Sequence, residues 1–433
     1  MMRAIWKTVS NALLAAGISL TAGAAMASVH GCRGIEDGHF WSSIEGRDGV
    51  FFRVDPGLHA IHPMTDATIA ELARLSRALK AAGTTLVLAP LPTKALAMPR
   101  SLDLDTELFG YDTEIATTVY LDAIGRLRGA GITTADALRP LIRSEQPPYF
   151  KTDYRMNARG AAITAATIGQ EIRSGAGYAQ QARHSFTTIR TGQADIPSAM
   201  RIALQQHCEA TLPKATTEIF ETRIETRAAQ GQSGVIALVG TEFSDLPEAN
   251  FAGFLAQETG FDVIQYSLPG GGAFGAISTY LTSEEFATGR PDFLVWEFPI
   301  YDNPGGNGLQ PLEELIAAAF NSCRDARPLE LADPETQPGV ATADLSALAT
   351  PMGHSLLLET GGAPARTARF AFDKGDGIIR TKIIARHPEQ LPTGRFFVPL
   401  SGLWPDGADK VDITLDVAFG DAPSLSVCSM GDN

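Results

Sequence analysis

The chain contains few cysteines for its length and no clustered metal-binding pattern. Its 433 residues include only four cysteines, and no two of them stand in C-x-x-C spacing. Structural zinc sites and redox dithiols usually show such close spacing, often with histidines nearby. The sequence therefore predicts no metal ion, and nothing in it points to a cofactor.

The chain also lacks an excess of positive charge. Lysine and arginine number 35 against 49 aspartates and glutamates, which gives a formal net charge of −14. Nucleic acids and anionic membranes attract basic proteins, so this balance argues against both as partners. After residue 27, no run is apolar and long enough to span a bilayer, and we expect no stable membrane insertion of the mature chain.

The N-terminus combines a positive start, a short apolar run and a small-residue cleavage pattern. Arg3 and Lys7 precede the apolar residues 13–27, which end in an A-x-A pattern at residues 25–27. That order is typical of a secretory signal peptide, whereas a membrane-spanning helix needs a longer apolar run. We therefore predict a signal peptide over residues 1–27 and a periplasmic mature protein.

The cysteines fit an oxidising compartment. An even number of cysteines in an exported chain indicates disulfide bonds. Four cysteines allow three pairings, and the simplest joins Cys32 to Cys208 and Cys323 to Cys428, because each bridge then stays within one half of the chain. The other two pairings stay open on the sequence alone.

Residues 28–325 alternate between strand-like and helix-like segments. Short apolar runs of the kind buried on both faces of a sheet are separated by segments with apolar residues every three or four positions. This alternation predicts a doubly wound α/β domain with a mostly parallel sheet, whose ligands lie beyond the carboxyl ends of the strands. The predicted strands are 49–54, 84–90, 234–239, 261–265 and 292–297, and the predicted helices are 65–82, 114–129 and 250–258.

The composition changes after residue 325. Residues 326–345 are rich in proline and acidic side chains, which predicts a linker. Residues 346–433 hold short strand-like runs separated by Gly, Pro and Asp, and residues 411–419 alternate apolar and polar side chains. We predict a small antiparallel β-sandwich in this last segment.

Three short motifs within residues 35–305 carry a family resemblance. They are D-Y-R-M-N at 153–157, G-T-E-F-S at 240–244 and W-E-F-P at 296–299. Together they resemble the periplasmic alginate O-acetylation proteins of the AlgX and AlgJ type. The resemblance implies an SGNH-hydrolase-like α/β/α sandwich. The carboxyl β-domain and the four-cysteine layout are similar to the AlgX-type members, whose second domain is a carbohydrate-binding module.

The chain departs from that family at the positions that carry its chemistry. Carried over by motif, the triad carboxylate is Asp153, the histidine position holds Arg155, and the serine nucleophile position holds Glu242. Arginine stays protonated and cannot act as a general base. A carboxylate cannot form the acyl-serine ester of the family. The resemblance therefore implies an inactivated site, and we hypothesise that Glu242 forms an ion pair with Arg155, with Asp153 as a second carboxylate.

Other chemical routes stay open on the sequence. Ser244 is a candidate substitute nucleophile if another base, such as His59 or His62, reaches it. Glu242 and Asp153 could form an acid/base pair as in glycoside hydrolysis, although Arg155 would hold both ionised. The P-G-G-G stretch at 269–272 fits a backbone oxyanion or ligand loop, and equally a turn that needs positive φ.

The carboxyl domain contains a local excess of basic residues. Residues 366–395 hold seven basic side chains against three acidic ones. One interpretation is a face that binds an acidic polysaccharide, with sugar rings stacked on aromatic side chains. The other is an ordinary solvated strand face with the aromatics in the core. The candidate glycan-binding residues are Arg366, Arg369, Arg395 and Trp404.

These observations favour a degenerate, polysaccharide-binding scaffold that serves exopolysaccharide acetylation or export. The expected partners are a secreted polysaccharide, which the resemblance implies is alginate-like, and envelope proteins of its acetylation or export. One alternative is an active O-acetyltransferase or acetylesterase that uses Ser244. Another is an envelope module whose partner is a protein.

Overall fold

The computed structural model describes residues 28–38, 41–229, 232–320, 323, 326–332, 339–348 and 353–430. The predicted signal peptide therefore lies outside the described residues. Within the described ranges, no helix has the length and apolar character needed to cross a membrane.

The first part of the chain is an α/β unit. Its strands are β1 (Ser43–Glu45), β2 (Phe51–Arg53), β3 (Thr85–Leu91), β4 (Thr133–Thr134), β5 (Ser185–Ile196), β6 (Ala215–Thr226), β7 (Val235–Val239), β8 (Asp262–Gln265) and β9 (Phe293–Pro299). Its helices are α1 (Asp66–Ala81), α2 (Lys94–Ala97), α3 (Thr113–Gly129), α4 (Leu138–Ile142), α5 (Ala158–Ser174), α6 (Ala199–Gln205), α7 (Glu242–Asp245), α8 (Phe251–Thr259), α9 (Gly272–Leu281), α10 (Glu284–Thr288) and α11 (Gln310–Ala319).

Five strands form one parallel sheet in the order β4-β3-β9-β7-β8. All seven residues of the central strand β9 are buried, because α5 and α8 cover one face of the sheet and α1, α9 and α11 cover the other. A strand buried on both faces has no polar side to show, which is why β3 and β9 read as continuous apolar runs. The observed layers confirm the predicted α/β/α sandwich.

The remaining strands of this unit pair in two antiparallel hairpins, β1-β2 and β5-β6. The second hairpin has two strands of 12 residues each, and α8 packs against it through Phe220 and Phe254, whose ring centroids are 5.2 Å apart. The sequence pattern predicted neither of these long strands.

The last part of the chain is a sandwich of two four-stranded antiparallel sheets. Their orders are β10-β17-β12-β15 and β11-β16-β13-β14. Its strands are β10 (Arg327–Leu329), β11 (Val340–Asp344), β12 (His354–Glu359), β13 (Thr367–Asp373), β14 (Ile379–Ala385), β15 (Arg395–Pro399), β16 (Lys410–Leu415) and β17 (Ser424–Ser429).

The predicted linker over residues 326–345 is wrong in part, since it contributes the edge strands β10 and β11. Pro328 lies in β10, where an edge position tolerates the missing N–H of proline. Proline and acidic content therefore indicated an edge here, and not the absence of a strand.

Two disulfide bonds join distant segments. Cys32 is bonded to Cys208, and Cys323 to Cys428. This is the simplest of the three pairings that the sequence allowed. The second bridge ties the end of the α/β unit to β17 of the sandwich, so the two units are connected covalently at a second place.

The two units meet through a buried ion pair. Arg386 donates to both carboxylate oxygens of Glu314 on α11, at 2.5 and 2.6 Å, and the two side chains are 4% and 2% exposed. Burial raises the pKa of Glu314, and the charge of Arg386 opposes that rise. Lys382 lies 3.3 Å from Glu313, and Arg395 donates to the carbonyl of Ser283. Basic side chains of the sandwich thus dock on the α/β unit.

We expect Arg386→Met to lower the free energy of unfolding by about 3–5 kcal/mol, because Glu314 would stay buried without its partner. Urea unfolding measures this. Adding Glu314→Gln should recover most of the loss, since no charge is then left buried. The matched control is Lys410→Met, which removes an exposed ion pair with Asp412 worth less than about 1 kcal/mol. An Arg386→Met protein that unfolds like its parent would contradict this account.

Candidate functional site

Polar side chains gather at the carboxyl ends of β3, β7 and β9. Lys94 follows β3, Glu242 begins α7 directly after β7, and Asp302 follows β9. The carboxyl ends of parallel strands meet at one edge of a sheet, which is where ligands bind in this class of fold. The segment 153–155 lies at the same edge, because Lys94 Nζ donates to the carbonyl of Asp153 at 3.0 Å.

Asp153 and Arg155 form a bidentate pair. Arg155 Nε donates to Oδ1 of Asp153 at 2.9 Å and Nη2 to Oδ2 at 3.1 Å, while the Arg155 amide also donates to Oδ1. Nη2 donates in addition to the carbonyl of Pro197 at 2.8 Å. Burial disfavours the charged guanidinium, but the bonds and charge of Asp153 outweigh it and raise the pKa of Arg155.

Glu242 has different partners from those hypothesised. Tyr154 Oη donates to its Oε1 at 3.0 Å, and the Gly270 amide donates to its Oε2 at 3.4 Å. The hypothesised Glu242–Arg155 ion pair is therefore wrong. Nε and Nη2 of Arg155 donate to Asp153 and Pro197, which directs the guanidinium to those two acceptors, and the neighbouring Tyr154 reaches Glu242 instead. Burial, followed by the charge of Glu242, raises the pKa of Tyr154.

The contact between Asp153 and Arg155 also bears on the alternative in which Asp153 and Glu242 act as an acid/base pair. Asp153 is 1% exposed, and both of its carboxylate oxygens accept from Arg155. A general acid or base must reach the atom whose proton it transfers. The geometry therefore speaks against an acid/base pair of Asp153 with Glu242.

The glycine-rich loop before α9 faces Glu242. Gly270 and Gly272 adopt φ of 71° and 61°, which only glycine takes without strain. The amide of Gly270 points at Oε2 of Glu242. The stretch is therefore a positive-φ turn, as one of the two interpretations predicted. Its role as an oxyanion or ligand loop stays a prediction, and the Gly270 amide donates to Glu242.

Ser244 is a buried support of the turn after β7. It is 1% exposed, and its Oγ donates to Oε2 of Glu297 at 2.7 Å and lies 2.7 Å from Oγ of Ser267. Glu297 also accepts from the amide and hydroxyl of Thr241, at 2.8 and 2.9 Å. Burial raises the pKa of Glu297 to about 7, while these hydrogen bonds oppose the rise. The carboxylate holds the turn that presents Glu242.

The candidate bases do not reach Ser244. His62 is 7% exposed, and burial, with a smaller effect of His59, lowers its pKa to about 4. His59 faces Asp55 at 3.4 Å. Within the part of the chain that the structure describes, no histidine nitrogen hydrogen-bonds to Ser244 Oγ. A relocated nucleophile therefore has neither solvent access nor an imidazole partner here.

Lys94 is a site residue that the sequence analysis missed. Its fully buried ammonium donates to the carbonyls of Phe51, Lys151 and Asp153 at 2.7, 3.0 and 3.0 Å. Burial lowers its pKa to about 7, and Asp153 opposes that shift. The sequence feature that could have indicated it is the position of this lysine, three residues after the buried strand β3, where a charged side chain is unusual. Lys94 fixes the 151–153 segment over the end of β3.

A groove of about 460 Å³ runs from this cleft between the two units. The Gly270–Gly272 loop, Asp302 and the start of α11 line one side, and residues 384–390 of the sandwich line the other. Burial raises the pKa of Asp302, and the nearby Glu242 raises it further, against the amide of Ala273 and the charge of His387. Trp296 does not line this groove, because its ring is buried and its Nε1 donates to the Ala273 carbonyl.

The candidate glycan-binding residues do not form one surface. Trp404 is 8% exposed, and Arg380 covers its ring at 4.5 Å, so no ring face is free for a sugar. Arg366 donates to the carbonyls of His387 and Gln390. Arg395 is paired with Glu359 and docks on the α/β unit. Arg369 stays exposed on β13. Most of the basic side chains of residues 366–395 therefore contact other groups of this protein.

No group of three or more His, Cys, Asp or Glu residues is arranged to hold a metal ion in the described ranges.

The sheet order, the turn after β7 and the 153–155 segment above it define an SGNH-hydrolase-like domain. By motif correspondence, Glu242 and Arg155 stand in it where serine and histidine are expected. Residues 44–300 match the family model of the SGNH hydrolase-like domain of acetyltransferase AlgX, and the chain belongs to that family.

Relatives and solved structures agree with this assignment. The chain is 31% identical over 269 residues to alginate biosynthesis protein AlgX of Pseudomonas aeruginosa. This match covers 60% of this chain and 56% of that protein. The chain is also 30% identical over 244 residues to probable alginate O-acetylase AlgJ of the same species. This match covers 52% of this chain and 61% of that protein. The chain thus spans little more than half the length of these relatives. A structure of Pseudomonas aeruginosa AlgX matches with a TM-score of 0.76 at 24% identity, covering 90% of this chain and 95% of that one, and shows the same fold.

We expect Arg155→Met to lower the free energy of unfolding by about 2 kcal/mol or more, because Asp153 would remain buried without its counter-charge. Thermal and urea unfolding measure this. The control is Arg159→Met. The exposed Arg159 side chain makes one long hydrogen bond, from Nε to Ser144 Oγ at 3.5 Å, so the change should alter stability by less than about 0.5 kcal/mol. Equal stability of the two variants would show that the Asp153–Arg155 pair stabilises nothing.

Glu297 should make stability fall as pH rises. Its folded pKa of about 7 lies above the ordinary 4.5, so between these values the unfolded chain loses the proton first. The free energy of unfolding should therefore fall by about 3 kcal/mol across that window, relative to Glu297→Gln, which has no proton to lose. Urea unfolding at a series of pH values measures the difference.

Ser244→Ala is the matched variant for this measurement. It removes a hydrogen bond that opposes the pKa rise of Glu297, so the fall in stability should extend to higher pH. A constant difference between the parent and Glu297→Gln across the window would refute the raised pKa.

Proposed function

We propose that this chain is a catalytically degenerate member of its family that binds a secreted polysaccharide in the periplasm and serves its acetylation or export as a scaffold. The observation that carries the proposal is the chemistry of the cleft. Glu242 and Arg155 stand at the nucleophile and histidine positions, and Arg155 occupies both oxygens of Asp153.

Acyl transfer through a serine needs a base that can accept a proton, and a guanidinium has no such capacity. It also needs donors aimed at the oxyanion that develops in the transition state. Here the Gly270 amide faces Oε2 of Glu242, so a negative charge already stands where an oxyanion would form. A second negative charge there would be repelled, which opposes catalysis independently of the missing base.

The cellular setting follows from the N-terminus and the cysteines. The signal-peptide pattern over residues 1–27 and the two disulfide bonds support a periplasmic protein. The names of the relatives, alginate biosynthesis protein and alginate O-acetylase, support a polysaccharide as ligand and envelope acetylation or export proteins as partners. The buried Ser244 gives the active-enzyme alternative no support.

We expect the protein expressed without residues 1–27 to hydrolyse 4-nitrophenyl acetate no faster than buffer, since no base and no nucleophile are paired in the cleft. The double variant Glu242→Ser with Arg155→His should restore turnover, because Asp153 can then orient an imidazole beside a hydroxyl. The gain over the control Glu242→Ala with Arg155→His should be about 100-fold.

Thermal unfolding of each variant verifies that it is folded before the rates are compared. Turnover by the parent that is abolished by Ser244→Ala would overturn the proposal and make this an enzyme with a relocated nucleophile.

A further inference from the structure

Acidic side chains from both units approach the Gly270–Gly272 loop. Glu242 accepts from the Gly270 amide. A Cβ atom placed on Gly272 would lie 3.0 Å from Oδ2 of Asp302, so that carboxylate lies directly against the loop. From the sandwich, the Glu389 side chain approaches Gly270, with 3.9 Å between a Cβ placed there and its Cγ. The groove that begins at the cleft is therefore acidic at its mouth.

Cations of the groove do not balance these carboxylates. Arg386 lines it but is bound to Glu314 through both oxygens. His387 alone of the groove-lining side chains in the described residues stabilises the Asp302 carboxylate by its charge, yet burial and Glu242 still raise the pKa of Asp302. The mouth of the groove therefore favours a positively charged group.

A separate observation points to a ligand in the same groove. Gln390 lines it, is 3% exposed, and its side-chain amide nitrogen has no hydrogen-bond partner. A buried donor without an acceptor costs about 1–3 kcal/mol, and such groups are rare in folded proteins. A hydroxyl or ring oxygen of a sugar would supply the missing acceptor. The groove volume of about 460 Å³ has room for sugar residues.

We propose that this groove binds a glycan that carries amino groups, such as a partly de-N-acetylated hexosamine polymer, with an ammonium group against Asp302, at the end that adjoins Glu242, and a sugar oxygen bound to Gln390. The inference rests on the proposed function that the chain binds a polysaccharide, and it names the class. A polyuronate such as alginate would place its carboxylates against those of the protein. The like charges would repel, so we expect the groove to bind a polyuronate weakly.

The test is calorimetric titration of the protein without residues 1–27 at low salt and about pH 6, where amino-sugar amines are largely protonated and surface charges are little screened. Four hexamers are compared: glucosamine, N-acetylglucosamine, mannuronate and glucose in β-1,4 linkage. We expect the glucosamine hexamer to bind at least about tenfold more tightly than the other three.

Two variants locate the binding. Asp302→Asn and Gln390→Ala should each weaken the glucosamine hexamer about tenfold, the first by removing the charge and the second by removing the donor. The control is Glu218→Gln, which removes an exposed carboxylate paired with Arg190 on the β5-β6 hairpin and should leave affinity unchanged.

The outcomes separate the two proposals. Preferential binding of mannuronate or glucose hexamers, or glucosamine affinity that Asp302→Asn leaves intact, would overturn the inference while the polysaccharide-binding scaffold would stand. Absence of binding to all four hexamers by a folded protein would overturn both.

Discussion

The bidentate contact between Arg155 and Asp153 determines the geometry of the cleft. Asp153 is almost fully buried, and an isolated carboxylate there would be strongly unfavourable. Arg155 supplies the permanent counter-charge, and Lys94 holds the Asp153 carbonyl from below. With both flanking residues fixed, the side chain of Tyr154 reaches Glu242 and sets the position of its carboxylate. The charges of Asp153, Arg155 and Glu242 are thus linked through this one segment.

The two departures from the family pattern have different physical consequences. Arg155 satisfies the buried Asp153 carboxylate through two side-chain hydrogen bonds, so the local fold does not need a histidine at this position. Glutamate at the serine position adds a negative charge that Arg155 does not neutralise by contact. It remains beside the Gly270 amide and raises the pKa values of Tyr154, Asp245 and Asp302.

The sequence predicted the parallel sheet well because burial on both faces leaves a strong local signal. The run at 84–90 became β3 at Thr85–Leu91, and 292–297 became β9 at Phe293–Pro299. The β5-β6 hairpin left no such signal, since most of its residues are exposed or half-buried and neither face is consistently apolar. The structure brings the motif segments 153–155 and 240–244 into contact, but the motifs could not show which acceptors Arg155 would use. That choice depends on the carbonyl of Pro197, which is 42 residues away.

The basic excess of residues 366–395 shows why a charge count along the chain is a weak guide to a surface. Alternate residues of a strand face opposite sides, so a cluster in sequence divides in space. On β14, Lys382 reaches Glu313 of the α/β unit, and Arg386, one residue past the strand, reaches Glu314. These pairs hold the sandwich against α11. The same docking carries His387, Glu389 and Gln390 to the mouth of the cleft, because they follow Arg386 directly in the chain. The groove is therefore a product of both units, because Asp302 and the Gly270–Gly272 loop line one side and residues 384–390 line the other.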